Sequence, residues 1–347
     1  MSRVQILIVE DGDGDQRLDR YVRRLFPHIG QGKIEKLCRK GEIRVDGGRV
    51  KGSTRIEVGQ SVRIPPLPDP GQMKPILRTS VSVADARMIR DCVIYRDDQI
   101  IALNKPAGLP TQGGSKQSRH VDGLAEALMY DLDEKPRLVH RLDKDTSGVL
   151  VLARTRAAAK GLTTAFRHRE TRKLYWAAVA GVPQPLRGVI KYGLVKRFGS
   201  SGEGEGEKMY AVHPQEVDST EGAKRATTYY STQFRLGSRM SWVAMAPITG
   251  RTHQLRVHMA EMGHPIIGDG KYGGSGQENL GDGWGAGAGG VISRKLHLHA
   301  RSLTFEHPVT RAIVELIAPL PDHMKQTWET VGWEDSFAEK DPFEGML

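Results

Sequence analysis

An α+β protein of two unequal domains is what this sequence predicts: a small basic domain, then a larger one with a mainly antiparallel mixed sheet. Three observations predict it. Residues 15–65 carry two short helical repeats followed by an alternating strand–turn–strand pattern. A Pro-rich stretch, P-P-L-P-D-P-G-Q-M-K-P at 65–75, then breaks regular structure. From about Arg90 to Leu320, short apolar runs outnumber helical ones and do not alternate with them, which disfavours a Rossmann-like parallel order. The expected boundaries are 15–65 for the small domain, 66–89 for a linker, 90–320 for the large domain and 321–347 for a polar tail.

Composition narrows the class. The 347 residues are 38% hydrophobic and 27% charged, enough for two domains with sizeable cores. No run approaches the ~20 apolar residues of a membrane span, and the first ten residues lack the features of a signal peptide. The two cysteines, Cys38 and Cys92, form no metal or disulfide framework, so a cytoplasmic location is expected. Net charge is +10, and residues 15–65 hold thirteen Lys or Arg against six Asp or Glu. Positive charge so localised suits a polyanion, nucleic acid before an acidic membrane surface, although a solvated basic face would look the same.

In the small domain, Leu18, Tyr21, Val22 and Leu25 recur at helical spacing behind Asp15, and Pro27 and Gly30 end that helix. A second helix over 31–40 turns Ile34, Leu37 and Cys38 inward and sets Lys33, Lys36 and Lys40 on another face, until Gly41 stops it. E-I-R-V-D-G-G-R-V alternates about Asp46-Gly47, a hairpin signal, and a strand over 60–64 closes the unit. This order resembles the S4 RNA-binding domain. The resemblance implies RNA contacts from Lys33, Lys36, Arg39 and Lys40.

In the large domain, 93–95 and 100–104 read as strands joined by an acidic turn. Further strands are expected at 148–153, 174–179, 227–234, 242–247 and 302–305, with helices at 124–128, 157–169 and 256–262. Residues 198–208 and 270–290 are Gly-rich and read as surface loops, and 334–347 reads as a polar tail.

One segment carries chemistry. In H-R-L-D-K-D-T-S-G-V-L-V-L-A-R-T, from His140 onward, Asp143 sits between Arg141 and a tight polar turn that runs into an apolar strand. Alone, that turn could simply satisfy its own backbone through Asp145, Thr146 and Ser147. Three other segments accompany it: K-L-Y-W-A-A-V-A-G from Lys173, P-I-T-G-R-T-H-Q-L-R-V-H from Pro247, and L-N-K-P-A-G-L from Leu103. Together with H-R-L-D-x-x-T-S-G they resemble the RluA-type pseudouridine synthases, over roughly residues 15–319. Thr111-Gln112-Gly113-Gly114-Ser115 favours the RluC-like branch, which acts on large-subunit ribosomal RNA.

The resemblance implies that uridine in RNA is detached from its ribose, rotated and rejoined through C5, with no cofactor and no metal. Asp143 would be the nucleophile, Tyr175 would stack on the uracil, and Arg256 would face Asp143 and hold it ionised. An opposite charge within ~4–6 Å lowers a carboxylate pKa by about 1–3 units. Arg141 would contact phosphates or fill the space of the flipped base. Taken singly, Tyr175 could be a core aromatic and Arg256 a surface cation. A transfer-RNA synthase of the same family and a non-catalytic ribosome-assembly protein are the alternative readings, and a monomer is expected. Gly285 to Gly290 fits G-x-G-x-x-G but follows no strand. Asp11, Asp13 and Asp15 mimic a calcium loop that lacks its Gly and its final Glu. Neither His253 with His258 nor His297 with His299 has a third metal ligand near it.

Overall fold

The computed structural model describes residues 3–68, 81–113, 119–168, 170–197, 208–273, 292–338 and 342–344. The chain divides into two units, Met1–Ser80 and Val81–Leu347.

In the first unit, helices Leu18–Leu25 and Gln31–Lys40 pack on a four-stranded sheet. The hairpin falls where expected. Arg44–Val45 pairs with Gly48–Arg49, and Asp46 and Gly47 both take positive φ, the backbone a two-residue turn of that type requires. Leu18, Tyr21, Val22, Ile34, Leu37 and Cys38 are buried in one core, whereas Leu25 is exposed. Leu25 keeps the same helical spacing but is the last residue of its helix. The unit also begins earlier than residue 15. Gln5–Ile8 pairs with Ser61–Ile64 as an edge strand, so the short apolar run before the acidic turn belongs to the sheet.

The second unit is organised by a ten-stranded sheet whose pairs are antiparallel except one. Across its centre run Met240–Pro247, Arg172–Ala180, Leu298–Glu306, Ser147–Ala153 and Ile100–Lys105, in that order. Every residue of Ser147–Ala153 is buried, because this strand has neighbours on both edges and packing on both faces. Its parallel partner is Leu298–Glu306, with Ser147 opposite His299 and Gly148 opposite Ala300. Gly148 has φ +108°, and a Cβ there would stand 2.2 Å from the Ala300 carbonyl oxygen. Only glycine lets the two strands approach at the point where the chain leaves the Asp143 turn.

Three expectations are corrected here. Val83–Asp91 is a helix inside the span expected as linker: the Ser82 hydroxyl accepts the Asp85 N–H at 3.1 Å, and Ile89 is buried against Val121, Leu124 and Leu128. The helix expected over 124–128 is two short turns, Val121–Leu124 and then Ala125–Leu128. The tail expected at 321–347 holds the helix Asp322–Val331, and Trp328, Trp333 and Phe343 pack with Trp176 and Trp242 in one buried cluster. A few large rings bury enough area to dock a segment whose average composition is polar. Strands Arg187–Ile190, Gly193–Arg197, Lys208–Val212 and Ile313–Ile317 also lie outside the expected set. The segments 198–207 and 274–291, most of the two expected loops, lie outside the described residues, as do Gly114 and Ser115.

Candidate active site

Asp143 stands on the turn that feeds the buried Ser147–Ala153 strand, and its backbone is held on both sides. Before it, Thr111 Oγ1 donates to the Leu142 carbonyl at 2.7 Å and accepts the Leu142 N–H at 3.2 Å. After it, the Lys144 carbonyl accepts from Gly108 N–H at 2.9 Å and from Lys105 Nζ at 3.0 Å. Lys105 is fully buried and also donates to the carbonyls of Pro106 and Leu109, at 2.8 and 2.9 Å. Burial pulls its pKa down to about 7, while the charges of Asp145 and Asp143 act to restore the ammonium. The Asn-Lys-Pro-Ala-Gly segment is thus the clamp that sets the Asp143 turn.

The carboxylate opens onto a cleft of about 470 Å³. Tyr175 lines it from the Arg172–Ala180 strand, whose register against Leu298–Glu306 shifts between Leu174 and Tyr175. The residue skipped in that register is Arg301, on the partner strand. Burial raises the Tyr175 phenol pKa, and the charge of Asp143 adds to the rise, so the ring enters the cleft protonated and neutral. Arg141, Arg167, Lys173, Arg251 and Arg256 line the same cleft, and among the described lining residues Asp143 is its single carboxylate. His140 is fixed at the cleft wall: its Nε2 accepts the Val151 N–H at 2.9 Å and its ring stacks on Phe166 at 4.4 Å.

The loop 247–253 forms the facing wall, and Gln254 fastens it. Its Oε1 accepts from Thr249 Oγ1 at 2.7 Å and Arg251 N–H at 3.1 Å, and its Nε2 donates to Thr227 O and Thr228 Oγ1, both at 2.9 Å. His253 follows with left-handed backbone, φ 54°, at the start of helix Gln254–Glu261. Non-glycine residues held there are uncommon and concentrate at functional sites. One edge of its ring faces Asp143, with Nε2 3.9 Å from Oδ2, and Nδ1 shares a hydrogen bond with the Tyr272 hydroxyl at 2.7 Å. Burial lowers the His253 pKa against the opposing pull of Asp143.

Arg256 lines the cleft with Asp143, but its bidentate partner is another acid. Nε and Nη2 each lie 2.7 Å from Asp269, which also accepts the N–H groups of Lys271 and Tyr272 at 3.0 and 3.1 Å. The expected pairing with Asp143 is corrected accordingly. Asp269 is 1% exposed and Arg256 7%, so each must neutralise the other, whereas Asp143 keeps contact with solvent. Arg256 also lies over the Tyr272 ring, 5.1 Å from its centre.

Of the residues singled out in the sequence, Asp143, Tyr175, Arg256 and Arg141 therefore meet in one cleft. Lys33, Lys36, Arg39 and Lys40 are exposed on the Gln31–Lys40 helix of the first unit. His253, Asp269 and the clamp from Lys105 and Thr111 were not singled out as site residues. Among the described residues no group of three or more His, Cys, Asp or Glu could hold a metal ion, and no helix is long and apolar enough to cross a membrane.

A cleft walled by aromatic and cationic groups about one carboxylate suits a class of protein that binds an anionic, ring-bearing ligand. Comparison with known proteins identifies the class. Residues 99–261 match the RNA pseudouridylate synthase family, and residues 16–62 match the S4 domain. The chain is 33% identical over 331 residues to a protein of Vibrio cholerae serotype O1 named ribosomal large subunit pseudouridine synthase C, covering 94% of this chain and 96% of that one. A protein of the same name from Haemophilus ducreyi is 35% identical over 328 residues, covering 93% and 94%. Among solved structures, human RNA pseudouridylate synthase domain containing 4 is similar with a TM-score of 0.57 and 29% identity, over 72% of this chain and 96% of that one. The chain belongs to the RNA pseudouridylate synthase family, as an α+β enzyme with an N-terminal S4 domain.

Proposed function

We propose that this pseudouridine synthase isomerises uridine in large-subunit ribosomal RNA, with Asp143 as nucleophile on a uridine flipped out of its stack. The observation that carries the reading is the solitary carboxylate of Asp143 in a cleft with Tyr175 and five cations. Isomerisation within one nucleotide needs one ionised acid to start the transfer, and a second carboxylate would add repulsion toward phosphate. Tyr175 offers a neutral ring on which uracil stacks, and its buried hydroxyl stays protonated through the neutral range. The exposed Arg141, one residue from the Leu142 clamp, reaches phosphates beside the target or the gap the base leaves. Arg256 acts through position, carrying positive charge beside Asp143 while Asp269 fixes its plane.

Ribosomal substrate choice rests on the names of the relatives, which cover nearly the whole chain. The enzyme works as a monomer in the cytoplasm, where Cys38 and Cys92 remain free. The test is Asp143→Asn, which keeps shape and removes charge. Wild-type protein forms pseudouridine in a large-subunit RNA transcript. The variant binds that RNA and melts as wild type but forms none. Turnover above a few per cent of wild type overturns the nucleophile assignment. Base-resolution mapping in cells lacking the gene decides the substrate: ribosomal sites disappear, and loss of a transfer-RNA site alone refutes the ribosomal reading.

A further inference from the structure

Asp143 also borders a second cleft, of about 480 Å³, which Tyr175 does not line. Its walls are the Gly268–Lys271 turn, the Arg294–Leu296 segment and the Ala107-Gly108 turn. Its chemistry differs from the first. None of its described lining residues is Phe, Tyr or Trp, and Lys144, Lys271, Arg294, Lys295 and Arg256 face the carboxylates of Asp143 and Asp145. Asp269 already neutralises Arg256, and Lys144, Arg294 and Lys295 are exposed with no ion pair among the described residues.

The cations are carried on fixed backbone. The Lys144 carbonyl is clamped by Gly108 and Lys105. The backbone at Lys295 passes so close to Gly268 that a Cβ there would stand 2.0 Å from the Lys295 carbonyl oxygen, at φ +75°. Neither position can drift without disturbing the Asp143 turn or the Asp269 turn.

We infer that this second cleft is a phosphate subsite, holding the RNA backbone that adjoins the target nucleotide. The inference rests on the reading of Asp143 as the nucleophile. A base enters the first cleft, where a ring can stack on it. The strand attached to that base must leave past the same carboxylate, and the second cleft offers what a phosphodiester needs: several cations, glycines that admit close approach, and no phenol or indole face to compete for a base. Because the surplus of charge is positive even with Asp143 and Asp145 ionised, the subsite holds phosphate beside an ionised nucleophile.

The test uses the full chain, a large-subunit RNA transcript, and the Arg294→Gln/Lys295→Gln double variant. Each phosphate that a variant no longer neutralises makes the slope of log affinity against log salt shallower by roughly 0.7–0.9. The expected result is a slope shallower by about 1 to 2, with Kd and KM raised at low salt. Lys295→Arg, which preserves the charge, retains the wild-type slope. An unchanged slope in the double variant overturns the subsite, and so does a Lys295→Arg variant whose slope falls as far as that of the double one. If wild type forms no pseudouridine in this RNA, the functional reading fails instead, so the two failures are distinguishable.

Discussion

Replacing Asp269 by Asn tests the most consequential pairing in the site. The substitution keeps the side chain's shape and one acceptor oxygen but removes the charge facing a buried guanidinium. It also turns an NH₂ toward one of the two Arg256 donors now 2.7 Å away. Removing one partner of a buried ion pair costs about 3–5 kcal/mol, because the remaining charge is stranded. Asp269 also receives the N–H groups of Lys271 and Tyr272, so the turn carrying the second cleft loosens with it. In a unit of this size each kcal/mol is worth ~2–4 °C of melting temperature, so the fall is on the order of 10 °C. Thermal melting of the full chain measures it, and pseudouridine formation below the lowered transition measures the effect on the site. Arg256→Lys shows the same effect from the other side: charge is kept, the fork is lost, and turnover falls severely. An Asp269→Asn protein that melts within ~1 °C of wild type and turns over normally refutes the argument.

Three further outcomes are expected. Lys105→Met leaves the carbonyls of Pro106 and Leu109 without their donor and the Lys144 carbonyl with the Gly108 N–H alone, and it destabilises the protein by about 3 kcal/mol, read by denaturant titration, with turnover falling as the Asp143 turn relaxes. Burial holds His258 and His297 at pKa values of about 4 and His299 at about 3, below the ~6.5 of an unfolded chain. The fold therefore excludes protons that the unfolded chain binds; stability is full above about pH 6.5 and is lost as pH falls from there toward 4 and 3. Three histidines at ~1.4 kcal/mol per pH unit give a loss of about 4 kcal/mol between pH ~7.5 and ~5.5, and equal denaturation midpoints at the two would contradict it. Removing residues 1–80 takes away Lys33, Lys36, Arg39 and Lys40, weakens RNA binding and flattens its salt dependence, while residues 81–347 keep their own core; an unchanged salt titration would mark the basic helix as a solvated face.

What the sequence made legible follows from the range over which each signal acts. The strand at 148–153, the Asp46-Gly47 hairpin and the helix over 31–40 were readable because their pattern is local. The helix Asp322–Val331 was not, since its sparse apolar positions matter only through Trp328 meeting Trp242, more than eighty residues away in the chain. Lys208–Val212 was hidden at the end of a Gly/Glu run, and Gln5–Ile8 was short and at an edge. In the site, motif resemblance brought out Asp143, Tyr175, Arg256 and Arg141. It could not say which acid Arg256 would take, because Asp269 reaches it only through the turn after Ile266, nor that His253 would adopt left-handed backbone between Asp143 and Tyr272.

The Lys105 clamp explains why so much buried polarity surrounds so small a turn. A carboxylate that stays ionised cannot be deeply buried without losing its charge. Exposure in turn leaves a carboxylate on a loose turn, and a displacement of about 1 Å can cost two orders of magnitude in rate. The chain separates the two requirements. The Asp143 carboxylate keeps solvent contact, while the peptide groups on either side of it are gripped by the buried Thr111 and Lys105 and by the Gly108 N–H. Gly148 then runs the chain into a strand buried along its whole length, so motion of the turn must strain the centre of the sheet. Desolvation falls on Lys105, whose ammonium is compensated by three carbonyls, and not on the Asp143 carboxylate.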